Sequence, residues 1–478
     1  VPPGYRGPGA VSGGEALKKA YRDVSSGGRR RAAGRVATRR RRTARGGRAA
    51  AGGVRAGGHT RMPPIPARLG WDLVTGPTTS GDTAPGAAVP SPRDTRDLAA
   101  PLGPVVGMVG AGQLARMTQQ AAIALGVELR VLANARDESA ARVVADVRLG
   151  DHRDLADLRA FAKGCDVITF DHEHVPTEHI RALEASGLPV RPGADALVHA
   201  QDKLAMRRRL TELAVPCPAW APVDSLAAVE EFAERHGWPV VLKAVRGGYD
   251  GKGVWVCAEA AEAGEVLATG TAVLAEAFVP FEREVAVLVA RSPHGQGVSY
   301  PVVETVQRDG ICVEVIAPAP GIDPEHAANA QHIALTVAER LGVTGLLAVE
   351  MFQLADGSVV VNELAMRPHN SGHWTIEGAR TSQFEQHLRA ILDLPLGSPQ
   401  PTAPVVGMAN VLGGPDPDVF ARYEHVMAHD PGVKVHFYGK QVRPGRKIGH
   451  VTALGTDLEE VRARARHAAV YLATGEYV

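Results

Sequence analysis

Residues 239–257 read PVVLKAVRGGYDGKGVWVC, and this stretch predicts the fold of the central part of the chain. Two β-forming runs, 239–245 and 254–257, flank a segment that contains Gly247, Gly248, Gly251 and Gly253. Glycines let a ligand approach the backbone, and the N–H groups of such a turn form a concave site for anions. With Lys243 and Lys252 nearby, the pattern predicts a phosphate-binding loop between paired strands. An ordinary flexible hairpin loop is the alternative, and no GKS or GKT follows to make it a Walker A loop.

A second stretch, GLLAVEMFQLADGSVVVNELA at 345–365, predicts a β-hairpin. A two-residue Asp-Gly turn at 356–357 pairs the residues that flank it, and the register then places Glu350 opposite Glu363. Their Cβ atoms would be roughly 5 Å apart. Carboxylate oxygens without His or Cys favour Mg²⁺, which nucleotide phosphates also bind. The alternative is a pair of solvated glutamates on an exposed face.

Two polar clusters lie further along the chain. RPHNSGHWT at 367–375 is too polar for a simple surface turn, and YGKQVRPGRKIGH at 438–450 concentrates four cations in a loop. The second cluster predicts a site for another phosphate, such as that of a ribonucleotide, although a plain basic loop would have the same composition.

Residues 104–200 alternate strand-like and helix-like segments, which predicts a parallel sheet with helical crossovers. The turn GAGQLA at 110–115 satisfies a dinucleotide-binding pattern, but the second strand ends at Asn134, where that site requires an acid. We therefore do not favour NAD or FAD, while the helix N-terminus remains suited to a phosphate. A single helix is predicted for 195–213, and short antiparallel strands for 272–317.

Charge is unevenly distributed along the 478 residues. Lys and Arg number 53 against 52 Asp and Glu, yet positions 1–70 contain 17 basic and two acidic residues. The segment lacks periodicity and apolar residues, so we predict a disordered basic extension over 1–97. A nucleic-acid tether is the alternative. Because no aromatic side chain interrupts the arginine-rich run, we do not expect a nucleic-acid partner.

The sequence contains no run of 18 apolar residues, so we expect no membrane span. The four cysteines, Cys165, Cys217, Cys257 and Cys312, form no CxxC pair. This pattern favours reduced thiols in a cytoplasmic enzyme over a zinc site or a disulfide framework.

Residues 104–478 resemble the ATP-grasp superfamily and, within it, the 5-(carboxyamino)imidazole ribonucleotide synthase family. The similarity is in GxGQL at 110–114, GGYDGKG at 247–253, NELAMRPHNSGHWT at 362–375 and PGRKIGH at 444–450. It implies a mixed α/β and α+β fold. The implied domains are an N-terminal parallel α/β domain like that of biotin carboxylase (98–200), an ATP-grasp lid (201–290), an ATP-grasp catalytic and metal domain (291–400) and a small C-terminal α+β subdomain (401–478).

The resemblance also implies the site residues, with Glu350 and Glu363 as Mg²⁺ ligands. For ATP it implies Lys203, Lys243, Gly248, Tyr249, Asp250, Gly251, Lys252, Gly253, Glu276, Ala277, Phe278, Val279, Glu284, Gln307, Asn362 and Glu363. For aminoimidazole ribonucleotide it implies Gln113, Glu173, Tyr249, Asp250, Lys252, Asn370, Ser371, Lys440, Arg446 and Lys447. Catalytic roles are expected for Tyr249, Asp250, Lys252, His373 and Lys440, with either Asp250 or His373 managing the amine proton.

Three positions depart from the family pattern: Asp171 replaces a glutamate, Gln307 a histidine and Met366 a proline. The implied reaction is ATP-dependent carboxylation of aminoimidazole ribonucleotide with bicarbonate, in a homodimer. Two alternatives stay open, namely a sister ATP-grasp ligase such as a formate-dependent glycinamide ribonucleotide transformylase, and a non-catalytic nucleotide-binding protein tethered by its basic arm.

Overall fold

The computed structural model describes residues 101–248 and 251–477, which contain three β-sheets. The predicted basic extension at 1–97 lies outside the described residues, as do Tyr249 and Asp250. The predicted mixed α/β and α+β fold class is confirmed by one parallel sheet and two antiparallel sheets.

The first sheet is parallel and has the strand order β3-β2-β1-β4. Its strands are β1 (Val105–Val109), β2 (Glu128–Ala133), β3 (Asp146–Leu149) and β4 (Val167–Phe170), and the helices of this region are α1 (Gln113–Leu125), α2 (Leu155–Ala162) and α3 (Thr177–Glu184). Every residue of β1 and β4 is buried, as expected for a parallel sheet that is covered on both faces.

The glycine turn before α1 contains a carboxylate of the protein itself. Asp171, directly after β4, accepts hydrogen bonds from the backbone N–H groups of Gly112 and of Ala115, the latter at 3.3 Å. A Cβ atom at position 112 would overlap that carboxylate. Asp171 thus already occupies two of the N–H groups at this helix N-terminus, which argues against a phosphate at the same place.

The segment 194–212 forms two helices rather than the single one predicted. They are α4 (Ala194–Gln201) and α5 (Lys203–Glu212). Asp202 has an extended backbone, and its carboxylate accepts a hydrogen bond from Ala205 N at 2.9 Å, so it ends one helix and caps the next. The break makes Lys203 the first residue of α5, where its N–H donates to the Val245 carbonyl at 2.9 Å.

The second sheet is antiparallel, with the order β5-β8-β6-β7. Its strands are β5 (Trp220–Val223), β6 (Val240–Ala244), β7 (Val254–Cys257) and β8 (Val273–Ala277), and its helices are α6 (Leu226–His236) and α7 (Ala260–Ala268). Strands β6 and β7 pair as predicted, so the glycine-rich segment connects neighbouring antiparallel strands.

The third sheet has nine strands in the order β14-β13-β9-β11-β12-β15-β17-β16, with β10 paired to β9. The strands are β9 (Arg283–Arg291), β10 (Gly297–Ser299), β11 (Val303–Arg308), β12 (Ile311–Ala317), β13 (Gly345–Gln353), β14 (Val359–Ala365), β15 (Val405–Leu412), β16 (Lys434–Phe437) and β17 (Lys447–Gly455). The helices are α8 (Pro324–Arg340), α9 (Thr375–Gly378), α10 (Gln383–Ile391), α11 (Tyr423–His429) and α12 (Leu458–Thr474).

Pairing within this sheet differs from the predicted domain limits. Strand β9, which the sequence prediction places in the lid, pairs with β13 and β11. The segment 401–478 adds β15, β17 and β16 to the same sheet through the β12–β15 pair. The predicted catalytic and C-terminal segments therefore share one continuous sheet.

None of the described helices combines the length and the apolar character needed to cross a membrane. All four cysteines carry free thiols, and three of them, Cys165, Cys257 and Cys312, are buried. The expectation of unpaired cysteines is therefore confirmed.

We expect Asp171→Ala to lower the free energy of unfolding by about 1–2 kcal/mol, because α1 would lose its capping acceptor. Urea unfolding measured by circular dichroism tests this. The control Asp137→Ala, at an exposed loop position, should change stability by less than about 0.5 kcal/mol. Equal stability of Asp171→Ala and the wild type would contradict the capping role.

Candidate active site

The hairpin of β13 and β14 pairs Glu350 with Glu363, as the sequence predicts. The predicted two-residue turn is wrong, however. Leu354 N donates to the Ser358 carbonyl at 2.8 Å, which closes a three-residue loop, and Gly357 adopts a left-handed backbone with φ of 82°. A glycine is suited to this position because other residues are strained there.

A β-bulge compensates for the longer loop. From the turn to Met351 and Val361 the strands pair one residue out of the predicted register, and the register then shifts between Met351 and Glu350. Asn362 is the extra residue on β14 that absorbs this shift. The two deviations cancel, so the carboxylates of Glu350 and Glu363 still belong to opposite residues of the ladder.

Lys203 and His369 lie beside the two carboxylates. Lys203 Nζ lies 2.5 Å from Glu363 Oε1, and His369 Nε2 lies 3.4 Å from Glu350 Oε1. Burial, together with the charges of Glu363 and Glu284, raises the pKa of Glu350 to about 8, although Lys447 and Lys203 oppose this shift. The pair therefore favours a bound proton or cation over two free negative charges.

No group of three or more His, Cys, Asp or Glu side chains in the described ranges 101–248 and 251–477 is arranged to hold a metal ion. A site with two protein carboxylates suits Mg²⁺, because this ion usually takes its other ligands from water and substrate phosphates. The oxygen donors and the mutual repulsion of Glu350 and Glu363 fit such an ion.

A ring of buried ionic contacts adjoins the carboxylate pair. Lys243 Nζ lies 2.8 Å from Glu276 Oε2 and donates to Asn362 Oδ1 at 2.7 Å. Arg207 donates from Nε to Glu276 Oε1 at 2.7 Å. Although burial opposes it, the charges of Lys243 and Arg207 lower the pKa of Glu276 to about 2. The Glu276 carboxylate is therefore committed to two cations.

The predicted adenine strand ends at the junction of the two antiparallel sheets. Glu276 and Ala277 close β8, and the half-buried Phe278 and Val279 follow it towards β9. Beyond this crossover, Phe281 stacks on Phe352 of β13 with ring centroids 4.3 Å apart. The crossover thus has the position of a hinge between the lid and the larger sheet.

Glu284 and Gln307, expected near the nucleotide, lie on paired strands and contact each other. Burial raises the pKa of Glu284 to about 7, while the charge of Lys243 and a hydrogen bond from Gln307 oppose the shift. Glu284, the proposed ribose ligand, therefore interacts electrostatically with Lys243 and with Glu350.

The glycine-rich loop reaches the larger sheet. Gly251 has a φ of 74°, and a Cβ atom there would lie 3.0 Å from the Cα of Gly310 in the turn between β11 and β12. A Cβ atom at Gly248 would lie 2.8 Å from the Lys252 carbonyl oxygen, and one at Gly253 would lie 3.0 Å from the Ala244 side chain. Glycines are thus required by close backbone approaches as well as by any bound anion.

Arg367 connects the first domain to the carboxylate pair. Its Nε atom lies 2.8 Å from Glu173 Oε1. Burial lowers the pKa of Arg367, but Glu173, Asp171 and Glu363 together raise it above its ordinary value. Glu173, which is expected to bind the ribonucleotide, is therefore held by Arg367. Gln113, another expected ribonucleotide ligand, is the first residue of α1 and directly follows Gly112.

The segment after Arg367 is fixed by side-chain hydrogen bonds. Ser371 N donates to His369 Nδ1 at 3.4 Å, and the Ser371 hydroxyl lies 2.9 Å from the same atom. Burial, followed by the charges of Arg367 and Lys447, lowers the pKa of His369 to about 3, so the ring is neutral at pH 7. An imidazole that accepts at Nδ1 carries its proton on Nε2, the atom facing Glu350.

Asn370, another predicted ligand, forms a reciprocal amide pair with Asn410 of β15. Asn370 Nδ2 donates to Asn410 Oδ1 at 3.0 Å, and Asn410 Nδ2 donates to Asn370 Oδ1 at 2.8 Å. Each side-chain amide thus uses one donor and its oxygen atom within the protein. The two hydrogen bonds fix the loop that contains Asn370 against β15 of the larger sheet.

His373 does not line the site. Its side chain is fully buried, its Nδ1 lies 2.9 Å from Gln383 Nε2, and its ring packs near Phe384 and His450. Burial lowers the pKa of His373 well below its ordinary value. A direct catalytic role for His373 is therefore not supported, because no part of the ring is exposed to a substrate.

The basic loop contributes its cations from the C-terminal part of the large sheet. Lys440 lies 5.8 Å from the centre of the Tyr438 ring, Arg446 donates to the Gln441 carbonyl at 3.1 Å, and Lys447 begins β17. Among these three, Lys447 is the cation whose charge acts on Glu350. The basic loop therefore acts on the carboxylate pair through Lys447.

Sequence reasoning missed two contributors, namely Arg207 and Gln383. Gln383 binds both backbone groups of His369, accepting from its N–H at 2.8 Å and donating to its carbonyl at 2.8 Å. His369 lies within the polar cluster that the sequence indicates at 367–375, whereas Arg207 and Gln383 lie in ordinary helices. Only their burial distinguishes them from surface residues.

Comparison with known proteins agrees with this architecture. The ribonucleotide synthetase preATP-grasp domain model matches residues 104–201, the ATP-grasp domain model matches 208–384, and the phosphoribosylaminoimidazole carboxylase C-terminal domain model matches 407–464. N5-carboxyaminoimidazole ribonucleotide synthase from Mycobacterium tuberculosis is 55% identical over 383 residues, covering 79% of this chain and 89% of the relative.

Solved structures are similar over the same region. N5-carboxyaminoimidazole ribonucleotide synthetase from Thermus thermophilus is 39% identical with a TM-score of 0.70, covering 78% of this chain and 99% of its own. The Aspergillus clavatus enzyme, in complex with ADP and 5-aminoimidazole ribonucleotide, is 32% identical with a TM-score of 0.72, covering 77% and 98%. On its sequence, its three matching domains and its site, this chain belongs to the N5-carboxyaminoimidazole ribonucleotide synthase family of the ATP-grasp superfamily.

Proposed function

We propose that this protein uses ATP and bicarbonate to carboxylate 5-aminoimidazole ribonucleotide, giving N5-carboxyaminoimidazole ribonucleotide for purine biosynthesis. The observation that carries the proposal is the approach of two phosphate-binding regions to one carboxylate pair. Lys203 contacts Glu363 from the nucleotide side, and the charge of Lys447 in the C-terminal basic loop acts on Glu350. Such a site suits a reaction between a nucleoside triphosphate and a second phosphorylated substrate.

The first step transfers the γ-phosphoryl group of ATP to a bicarbonate oxygen, which releases ADP and forms carboxyphosphate. Such a transfer requires positioning and charge neutralisation more than covalent catalysis. Lys203 and Lys243 supply fixed positive charge against the phosphates. A divalent cation held by Glu350 and Glu363 would add charge neutralisation on the phosphate oxygens.

In the second step the exocyclic amine attacks the carboxyl carbon of carboxyphosphate. A C–N bond forms, phosphate leaves with the electrons of the C–O bond, and the amine loses a proton. Carboxyphosphate is labile in water, so the glycine-rich loop acts as a lid over the reacting groups. Since His373 is buried, Asp250 is the remaining candidate of the two residues named for the amine proton.

The Lys447 side of the site holds the 5′-phosphate of the ribonucleotide. Arg446 and Lys440 belong to the same loop, and Arg367 with Glu173 forms the wall towards the first domain. We further propose a homodimer in the cytoplasm, which sedimentation velocity and cell fractionation would test.

The donor and acceptor are tested by measuring ADP and phosphate together with trapped ¹⁴C-carboxylated product. We expect ATP turnover that requires bicarbonate and is stimulated by aminoimidazole ribonucleotide, because the acceptor pocket is built from the basic loop and the 367–375 segment. Formate with glycinamide ribonucleotide should give no turnover. Efficient turnover with those two substrates would favour the transformylase instead, and nucleotide binding without turnover would favour a regulatory protein.

Glu350→Gln should reduce turnover by roughly 100-fold or more, because one of the two carboxylates that would hold the divalent cation is lost. Without divalent cations the variant should be more thermally stable than the wild type. The pKa of Glu350 is raised to about 8 in the folded protein, so between the ordinary glutamate pKa and pH 8 the folded state binds a proton that the unfolded state does not. Wild-type stability therefore falls as pH rises from about 5 to 8.

This stability advantage should therefore grow over that pH range, and added Mg²⁺ should reduce it. Melting curves in EDTA at several pH values measure the effect, with Glu339→Gln at an exposed position of α8 as the matched control. A constant difference between pH 5 and 8 would contradict the assignment.

Lys243→Met and Lys447→Met should affect different substrates. We expect Lys243→Met to raise KM for ATP, and Lys447→Met to raise KM for the ribonucleotide, each by about 10-fold to 100-fold for a lost charged hydrogen bond. Steady-state kinetics with one substrate varied at a time measures this, with Lys434→Met at an exposed position as the control. If both variants changed only the KM for ATP, the model with two phosphate sites would be wrong.

A further inference from the structure

Arg207 has no role in the reaction described above, yet it is the most completely buried cation next to the site. It lies on α5, one turn after Lys203, and its side chain has no exposed surface. Burying a guanidinium group is costly unless every part of it is paired. The groups that pair with the Arg207 guanidinium therefore indicate the role of this residue.

Arg207 donates to three acceptors on two different sheets. Nε bonds to Glu276 Oε1 of β8 at 2.7 Å, one terminal nitrogen bonds to the Val361 carbonyl at 3.0 Å, and the other bonds to the Asn362 carbonyl at 2.8 Å. The planar fork of arginine can make these contacts at once, which a lysine cannot. Arg207 thus joins the small sheet to the hairpin of the large sheet.

The two carbonyls that Arg207 binds belong to the β-bulge. Val361 is the last residue of β14 before the register shift, and Asn362 is the extra residue. The shift determines that Glu363 rather than Asn362 stands opposite Glu350. A donor that holds both carbonyls therefore fixes the position of a proposed metal ligand.

Arg207 also determines the net charge around Lys243. Arg207, Lys243 and Glu276 together carry two positive charges and one negative charge in a closed group of contacts. Without Arg207, Glu276 would neutralise Lys243 and bind it alone. With Arg207 present, one positive charge of the group remains for a phosphate.

We infer that Arg207 is a positioning residue of the phosphate-transfer site, which keeps Lys243 available to phosphate and holds the bulge that places Glu363. The inference rests on the proposed function for the identity of the ligand. A simple structural ion pair would stabilise the fold without affecting nucleotide and ribonucleotide differently.

The test compares Arg207→Met and Arg207→Lys with the matched variants Arg208→Met and Arg208→Lys. Arg208 is the next residue of the same helix and is exposed. Calorimetry of the full-length proteins measures the Kd of ADP in the presence of Mg²⁺ and the Kd of Mn²⁺ in the presence of ADP. Steady-state kinetics measures KM for ATP and for aminoimidazole ribonucleotide.

We expect Arg207→Met to weaken ADP binding by about 10-fold to 100-fold, as for a lost charged contact, and to weaken Mn²⁺ binding as well. KM for ATP should rise, whereas KM for the ribonucleotide should change less than about 2-fold. Arg207→Lys should retain most ADP affinity because it keeps the charge, but lose Mn²⁺ affinity because one ammonium cannot reach both carbonyls. The Arg208 variants should match the wild type.

Unchanged ADP and Mn²⁺ affinities in Arg207→Met, or equal changes in both KM values, would overturn the inference. If Arg207→Met does not fold, Arg207→Lys decides it, since wild-type Mn²⁺ affinity in that variant would refute the role at the bulge. A wild-type protein that binds no ADP would instead refute the proposed function.

Discussion

Repulsion between two carboxylates on neighbouring strands is the constraint around which this site is organised. Glu350 and Glu363 are opposite residues of one hairpin, and burial with mutual repulsion raises the pKa of Glu350 to about 8. Such a pair opposes folding unless cations compensate for it. The oxygen atoms of the two carboxylates suit a divalent cation, which would relieve their repulsion.

The compensating charges come from distant parts of the chain. Lys203 begins α5 and Lys447 begins β17, and both act on Glu350 although they lie far apart in the chain. Lys447 is brought to the carboxylate hairpin because β13 and β17 belong to one continuous sheet. The candidate site therefore lies at the junction between the two antiparallel sheets, where Arg207 and Lys243 link the smaller sheet to the carboxylate hairpin.

In the first domain, a glycine turn with the spacing of a binding site is bonded to a side chain of the protein itself. Its glycine turn has the spacing of a dinucleotide site, but Asp171 hydrogen bonds to the N–H groups that would bind a phosphate. Asp171 also adds negative charge near Arg367, which pairs with Glu173. The turn thus acts on the Arg367–Glu173 contact through the charge of Asp171.

The sequence by itself determined the features that depend on near neighbours. Glycines within seven residues indicated the loop between β6 and β7, and an Asp-Gly turn between two β-forming runs indicated the hairpin that contains Glu350 and Glu363. The bulge at Asn362 could not be predicted from the local sequence, because its partners Arg207 and Lys243 lie more than 100 residues away. The pairing was predicted correctly although its local geometry was not.

Only the tertiary structure decided which polar residues are buried. Residues 207–209 are three consecutive arginines, equal in charge and helix propensity, yet only Arg207 is fully buried and contacts Glu276. His373 and His369 belong to one motif, but the fold buries the first and turns the second towards Glu350. Burial depends on contacts between segments far apart in sequence, so a local pattern determines which side chains are available and tertiary packing determines which of them act.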